Sequence, residues 1–194
     1  SCGREMKALV KSRAERGLWL EEIAVPEIGI NDVLIRVRYT GICGTDVHIY
    51  EWDNWAESRV KTVPYTVGHE TSGTVVKKGS AVTRVEEGDV VSVETHIPCM
   101  HCKQCLTGQM HICTNVVILG VDTNGAFAEY LVVPEVVLWK SDRSIRPDFL
   151  SVQEPLGNAV HATLIEPVHG KSVVVLGDGP IGLFSVGVAK ACGA

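Results

Sequence analysis

The run Cys99-Met-His-Cys102-Lys-Gln-Cys105-Leu-Thr-Gly-Gln-Met-His-Ile-Cys113 decides how the rest of the chain is read. Two residues separate each of the first two cysteines from the next, and seven separate the third from the fourth. Gaps of two let a backbone fold round a metal and aim successive sulfurs at it, and the longer arm brings the last sulfur back. Lys103, Gln104, Thr107, Gly108 and Gln109 are poor core material. Such a loop cannot order itself by burial, so a bound metal supplies the missing folding free energy. Four thiolates complete a tetrahedral zinc shell and leave no open position, which makes the expected site structural. The same cysteines could instead be free thiols, disulfide partners or iron–sulfur ligands, the last of which use other spacings. His96, His101 and His111 stand nearby as extra donors that a full thiolate set does not need.

Outward from the lobe, the chain is β-rich on its amino-terminal side. Short runs at residues 33–39, 73–77, 90–93 and 128–133 are divided by turn residues, as at 85–89 and 122–125. That is the pattern of a barrel or sandwich of short strands. Residues 152–165 change character: Pro155 stands near the start, and apolar residues then recur at helical spacing. Residues 171–176 form a continuous apolar run, expected to be a buried parallel strand. A glycine-rich turn follows, then a helix over 181–192 with Gly193 as its end signal. The expected organisation is a zinc-binding β domain over residues 1–165 and the opening of an α/β domain over 166–194. There is no internal repeat and no low-complexity tract.

Composition narrows the class. The chain has 194 residues, 45% of them hydrophobic, enough for one sizeable core and part of another. With 18 Lys+Arg against 23 Asp+Glu the net charge is −5, which argues against a nucleic-acid backbone as partner. No apolar run approaches the roughly 18 residues of a membrane span. Residues 1–6 lack a basic-then-apolar secretion pattern, and Met6 is a candidate start with residues 1–5 an extension. The cysteines are Cys2, Cys43, Cys99, Cys102, Cys105, Cys113 and Cys192. Without a secretion pattern, such crowding points to a cytoplasmic metal site rather than a disulfide framework.

A second group of ligand types lies upstream. Cys43 sits in Gly41-Ile-Cys43-Gly-Thr45-Asp46-Val-His48, and His69 and Glu70 in Val67-Gly-His69-Glu70-Thr-Ser-Gly73. Cys, His and carboxylate all ligate zinc. Strand side chains alternate, so His69 and Glu70 reach one site only from a turn or helix start. Otherwise Glu70 stands behind an imidazole or replaces a water ligand. Further on, Gly177-Asp-Gly179-Pro180-Ile181-Gly182 joins an expected strand to an expected helix, the setting of a dinucleotide-binding turn. Asp178 departs from that pattern, where a small residue is usual.

These motifs, in this order, resemble the zinc-containing medium-chain alcohol dehydrogenases over nearly the whole chain. The flanks His48-Ile-Tyr-Glu-Trp52 with Asp53 and Trp55, Glu94-Thr-His96, Leu119-Gly-Val-Asp122 and Glu154-Pro-Leu-Gly-Asn-Ala-Val-His161 are most similar to the members that oxidise L-threonine. Polyol-oxidising members share the ligand residues but fewer of these flanks. The resemblance implies a mainly β, chaperonin-10-like (GroES-like) barrel with flanking helices, followed by an α/β Rossmann domain that is truncated here. It implies two Zn(2+) per chain: a catalytic ion at Cys43, His69 and Glu70 with Glu154 reaching the metal or its water, and a structural ion at Cys99, Cys102, Cys105 and Cys113. Thr45 and His48 match a proton relay, and Gly177, Gly179, Pro180, Ile181 and Gly182 the turn that binds NAD. Glu154 precedes Pro155, so a helix-capping role stays open beside ligation.

The expected activity is oxidation of a small secondary alcohol, L-threonine favoured and a polyol the alternative, with hydride passing to NAD. His96 is the candidate substrate-pocket residue, its alternative an exposed loop histidine. The expected partners are the small-molecule substrate and further copies of the chain, a homotetramer by resemblance, with no nucleic acid and no membrane. NAD over NADP rests on resemblance alone, because the acidic ribose ligand about 20 positions on falls past Ala194; the chain is therefore expected to be a portion of a longer polypeptide. A non-catalytic zinc-stabilised module and a thiol redox sensor are the readings from other classes.

Overall fold

A computed structural model describes residues 4–194. The readings of residues 1–3, Cys2 among them, lie outside the described residues. The chain divides into two compact units, Ser1–Ser151 and Val152–Ala194. The division comes ahead of the helix that follows residue 152, whereas the sequence places the domain boundary at 165/166. That helix packs against the last helix of the chain, so burial assigns it to the second unit.

The first unit opens with β1 (Glu5–Lys11) and β2 (Trp19–Ala24), antiparallel partners from Glu5↔Ala24 to Val10↔Trp19. β1 buries Met6, Ala8 and Val10 on one face, the period-two pattern of a strand with one side on a core. Then come β3 (Asp32–Gly41), α1 (Gly44–Glu51), α2 (Asn54–Arg59), β4 (Tyr65–Thr66) and β5 (Glu70–Lys78). They are followed by β6 (Val90–Val93), β7 (His96–Ile97), α3 (Lys103–Leu106), β8 (Val117–Ile118), β9 (Tyr130–Pro134), β10 (Leu138–Lys140) and α4 (Pro147–Leu150). The strands form sheets ordered β2-β1-β4, β10-β6-β5-β3-β9 and β7-β8. Ala8 bridges to Ala128 just before β9, which ties the first two sheets together. The β-rich domain expected from the sequence is thus present.

Two cores hold this unit. Val33, Ile35, Val75, Val91, Leu131 and Val133 belong to the larger, between the strands. Ile49, Val60, Tyr65, Val67 and Val121 form the smaller, which joins α1 to the segment leading into β5. Ile49 is fully buried there, and burial of such a side chain is worth about 1.5–3 kcal/mol. The smaller core therefore fixes Cys43, at the start of α1, against His69, just before β5.

In the second unit α5 (Gln153–Thr163) packs on α6 (Pro180–Ala191). Both match the expected helices, and Gly193 ends the last turn at φ +86°. Residues 171–176 do not form the expected buried strand: they make no ladder with any described strand, and Val174 and Leu176 are 82% and 94% exposed. A parallel strand exists only through its neighbours, and none of the described strands lies beside this one. No helix among the described residues is long and apolar enough to cross a membrane.

Candidate metal centre

Cys43, His69 and Glu70 converge, with one potential ligand atom of each lying within 4.8 Å of the others. β3 and β5 pair antiparallel, and register shifts at Leu34/Ile35 and Val37/Tyr39 reset the pairing so that Gly41 faces Glu70. Bulges of this kind re-aim side chains near functional sites. The room at Gly41 is used: a Cβ there would lie 2.6 Å from Glu70 Oε2. Two residues later Cys43 caps the amino end of α1.

The adjacency of His69 and Glu70 is resolved by where the strand begins. Glu70 is the first residue of β5, and His69 lies just outside it, after Gly68 at φ +97°. A Cβ at Gly68 would meet the Phe127 ring at 2.6 Å and the Phe127 backbone nitrogen at 2.9 Å. Residues 125–127 clamp this segment from behind, with Ala126 donating to Gly68 O at 2.8 Å and Phe127 to Val67 O at 2.8 Å.

Behind the cluster stands Asp46, only 3% exposed. Its Oδ2 accepts the Cys43 backbone N–H at 2.8 Å, the carboxylate half of a capping box. Its Oδ1 lies 3.5 Å from His69 Nδ1, a distance of ionic attraction rather than of a well-formed hydrogen bond. Neither atom has another hydrogen-bond partner, and both are buried. With Nδ1 facing Asp46, Nε2 is the nitrogen left for a metal.

The thiol of Cys43 lies against His69, which lowers its pKa against the opposing effect of burial, with Thr45 helping. Burial works against a charged His69, but Asp46 and Cys43 outweigh it and raise the imidazole to about 10. Burial pushes Glu70 upward. A thiolate, an imidazole and a carboxylate crowded in a buried site, with a carboxylate waiting behind the imidazole, fit a zinc ion with one open position.

α1 carries Thr45 and His48, the two residues expected to form a relay. They are three residues apart, hence neighbours on one helix face. Thr45 touches the Cys43 sulfur, and His48 is 55% exposed at its side chain, so the pair leads from the centre toward water.

The four cysteines of the lobe also converge, their sulfurs within 4.8 Å of one another. The sulfurs of Cys102 and Cys105 are 3.5 Å apart and those of Cys102 and Cys113 3.8 Å. A tetrahedron of about 2.3 Å Zn–S bonds has edges of about 3.8 Å, whereas a disulfide needs about 2.05 Å. Backbone N–H groups of Cys99, Cys102 and Asn115 each point at a cysteine sulfur at 3.3 Å, which favours the thiolate form. Cys102 is lowered to about 5, first by the backbone at Cys105, and Cys99 to about 7, first by that at His101, while burial and the neighbouring cysteines push Cys105 up to about 12. His101 turns its Nδ1 to Cys99 O at 2.6 Å, and His111 is not among the clustered ligand atoms.

His96, half-buried on β7, bonds Glu94 Oε1 through its Nδ1 at 2.6 Å and its backbone N–H at 2.9 Å. Glu154 stands in the first turn of α5 in the second unit, its Oε1 accepting from Asn158 Nδ2 at 2.9 Å. In the same unit the glycine turn is tight: Gly177 has φ +112°, Gly179 caps α6 and Pro180 opens it. A Cβ at Gly182 would strike Gly177 O at 2.1 Å. Asp178 is exposed. Asp46 and Asp53 were given no role by sequence reasoning. The signal available for Asp46 was its place three residues after a helix-capping position.

Residues 29–143 match the alcohol dehydrogenase GroES-like domain family. The chain is 54% identical over 189 residues to L-threonine 3-dehydrogenase of Bacillus licheniformis, covering 97% of this chain and 54% of that protein. Its structure is similar to that of a zinc-binding dehydrogenase from Sinorhizobium meliloti 1021 bound to NADP (TM-score 0.89, 33% identity, 98% of this chain and 54% of the other). It is also similar to galactitol-1-phosphate dehydrogenase from Escherichia coli (TM-score 0.86, 28% identity, 97% of this chain and 54% of the other). The chain spans about half the length of the curated relatives it matches.

Proposed function

The chain belongs to the zinc-type medium-chain alcohol dehydrogenases, and on that premise we propose that the polypeptide carrying it oxidises L-threonine to 2-amino-3-oxobutanoate with NAD as hydride acceptor. The observation that carries the reading is the 54% identity to a threonine dehydrogenase, against 28% to a polyol-phosphate enzyme of the same fold. It is supported by the convergence of Cys43, His69 and Glu70 beside the Thr45–His48 face of α1. In this reading those three residues hold a catalytic zinc, with Glu154 a further ligand, and the four lobe cysteines hold a structural one. Zinc at such a site makes the hydroxyl of an alcohol more acidic and polarises the carbonyl that forms from it.

The chain's own groups supply the rest. Asp46 holds His69 in the orientation that presents Nε2, and Gly41 makes room for the Glu70 carboxylate. The Thr45 hydroxyl receives the proton of the substrate alcohol and hands its own to His48, which releases it to water. The turn at Gly177, Gly179, Pro180, Ile181 and Gly182 presents the amino end of α6 to the cofactor's pyrophosphate. His96, held by Glu94, is assigned to the substrate carboxylate. A homotetramer in the cytoplasm is the assembly and place this reading carries.

Initial rates of NAD reduction by the full-length polypeptide, reconstituted with zinc, test the substrate. L-Threonine is expected to give the highest kcat/KM. Equal or better turnover of sorbitol or 2,3-butanediol would move the assignment to the polyol-oxidising members.

A further inference from the structure

Asp53 lies outside the metal centre and makes two bonds at once. Its Oδ1 accepts the Ala56 backbone N–H at 3.0 Å, capping α2, while its Oδ2 lies 2.5 Å from His48 Nδ1. The two residues are joined by the turn that ends α1. There Trp52 adopts φ +56° and donates its backbone N–H to His48 O at 2.9 Å. One turn therefore holds His48 by its carbonyl and by its ring. The turn is itself braced, because the ammonium of Lys11, a residue with no exposed surface, lies 4.8 Å from the centroid of the Trp52 ring. On the other side, the Trp55 ring lies 5.6 Å from that of His48 at 47°.

We infer that Asp53 is a positioning residue for the relay, holding His48 as the Nδ1–H tautomer so that Nε2 is the nitrogen that accepts and releases the proton. An ionised carboxylate can only accept, so the hydrogen of this short contact belongs to the imidazole. The helix cap and His48 both favour the ionised form of Asp53. Glu51, three residues after His48 on α1, is occupied by Arg16 at 2.8 Å and does not compete for the ring. Side-chain exposures of 55% for His48 and 40% for Asp53 place the pair where a proton can leave to water. The inference rests on the proposed alcohol oxidation for the proton that His48 carries, and on geometry alone for the tautomer.

The experiment compares wild type, Asp53→Asn and Asp53→Ser in the full-length, zinc-loaded polypeptide. Asn and Ser both cap helices well, so α2 is kept. Asn, with its carbonyl on Ala56, turns its amide N–H toward His48 Nδ1 and selects the opposite tautomer. Nitrogen NMR of labelled histidine, with His48→Asn identifying the signal, is expected to show Nδ1–H in wild type and Nε2–H in Asp53→Asn. With L-threonine, kcat near neutral pH is expected to fall about tenfold or more in both variants, with KM within about twofold. The deficit should narrow as pH rises and hydroxide replaces the relay. An unchanged tautomer in Asp53→Asn, or a wild-type kcat and pH profile in both variants, overturns the inference. If wild type fails to reduce NAD with threonine, the functional reading falls, and the tautomer measurement still upholds or overturns the Asp53 contact.

Discussion

Nδ1 of His69 and Oδ1 of Asp46 face each other 3.5 Å apart, both buried and neither with another hydrogen-bond partner. A carboxylate behind a ligating imidazole fixes the ring and raises its basicity. Here the same carboxylate also ties the start of α1 through the Cys43 N–H, so one residue organises two of the three converging ligands. Asp46→Asn should therefore weaken zinc at this centre by about 10–100-fold while the four-cysteine lobe keeps its ion. Competition with a chelator of known affinity measures this; equal loss from both sites would contradict it.

Gly68 is a position where shape alone is at stake. With φ +97° and a Phe127 ring carbon 2.6 Å from where a Cβ would stand, Gly68→Ala must move the backbone that carries His69. A cost of about 3 kcal/mol is expected from strain and overlap together. Denaturant unfolding reads the stability, and zinc content reads the displaced ligand. A variant as stable as wild type with full zinc would show that the segment is not clamped.

A pH effect is expected at Asp122, which is not among the proposed metal ligands. Its carboxylate pairs with Arg59 on α2 at 2.5 Å and accepts the Ile118 N–H at 2.8 Å. Arg59, first, and that backbone bond hold its pKa below the usual 3.8, against burial. The folded state thus binds this proton less tightly than the unfolded chain. The stabilisation is present above the unfolded pKa and is lost as pH falls through the lower folded value. Asp122→Asn should cost about 1 kcal/mol at pH 7, allowing for solvent screening, and the two proteins should converge as pH falls through the lowered folded pKa of Asp122. A difference that stays constant with pH would exclude the ion pair as its source.

The lobe should behave as a metal-ordered loop. Thiol reagents are expected to spare Cys99, Cys102, Cys105 and Cys113 until a strong chelator is added, while the exposed Cys192 reacts at once. Rapid modification of all six described cysteines in the zinc-loaded protein would remove the closed site.

The sequence was most legible where chemistry needs a local pattern. Cysteine spacing named the lobe, because two-residue gaps mean the same thing in any surroundings. Short β-rich runs bounded by turn residues located β3, β5 and β6 to within a few residues, because β-branched side chains suit a strand and the turns mark its ends. The helix α1 was not legible: its ends rest on an Asp46 cap and a left-handed Trp52, which depend on side-chain geometry more than on periodicity. The His48–Asp53 contact was equally hidden, since it exists only once α1 ends and the chain turns. Residues 171–176 show the reverse failure, a correct apolar pattern without the neighbours that make a strand.

Zinc per chain, measured in the full-length polypeptide after reconstitution and removal of loose metal, separates two zinc centres of different kind from one. Two ions are expected in wild type and one in Cys43→Ala, with the threonine-dependent activity lost along with the second. A single ion in wild type, unchanged by Cys43→Ala, would contradict it and leave a zinc-stabilised module without a catalytic centre.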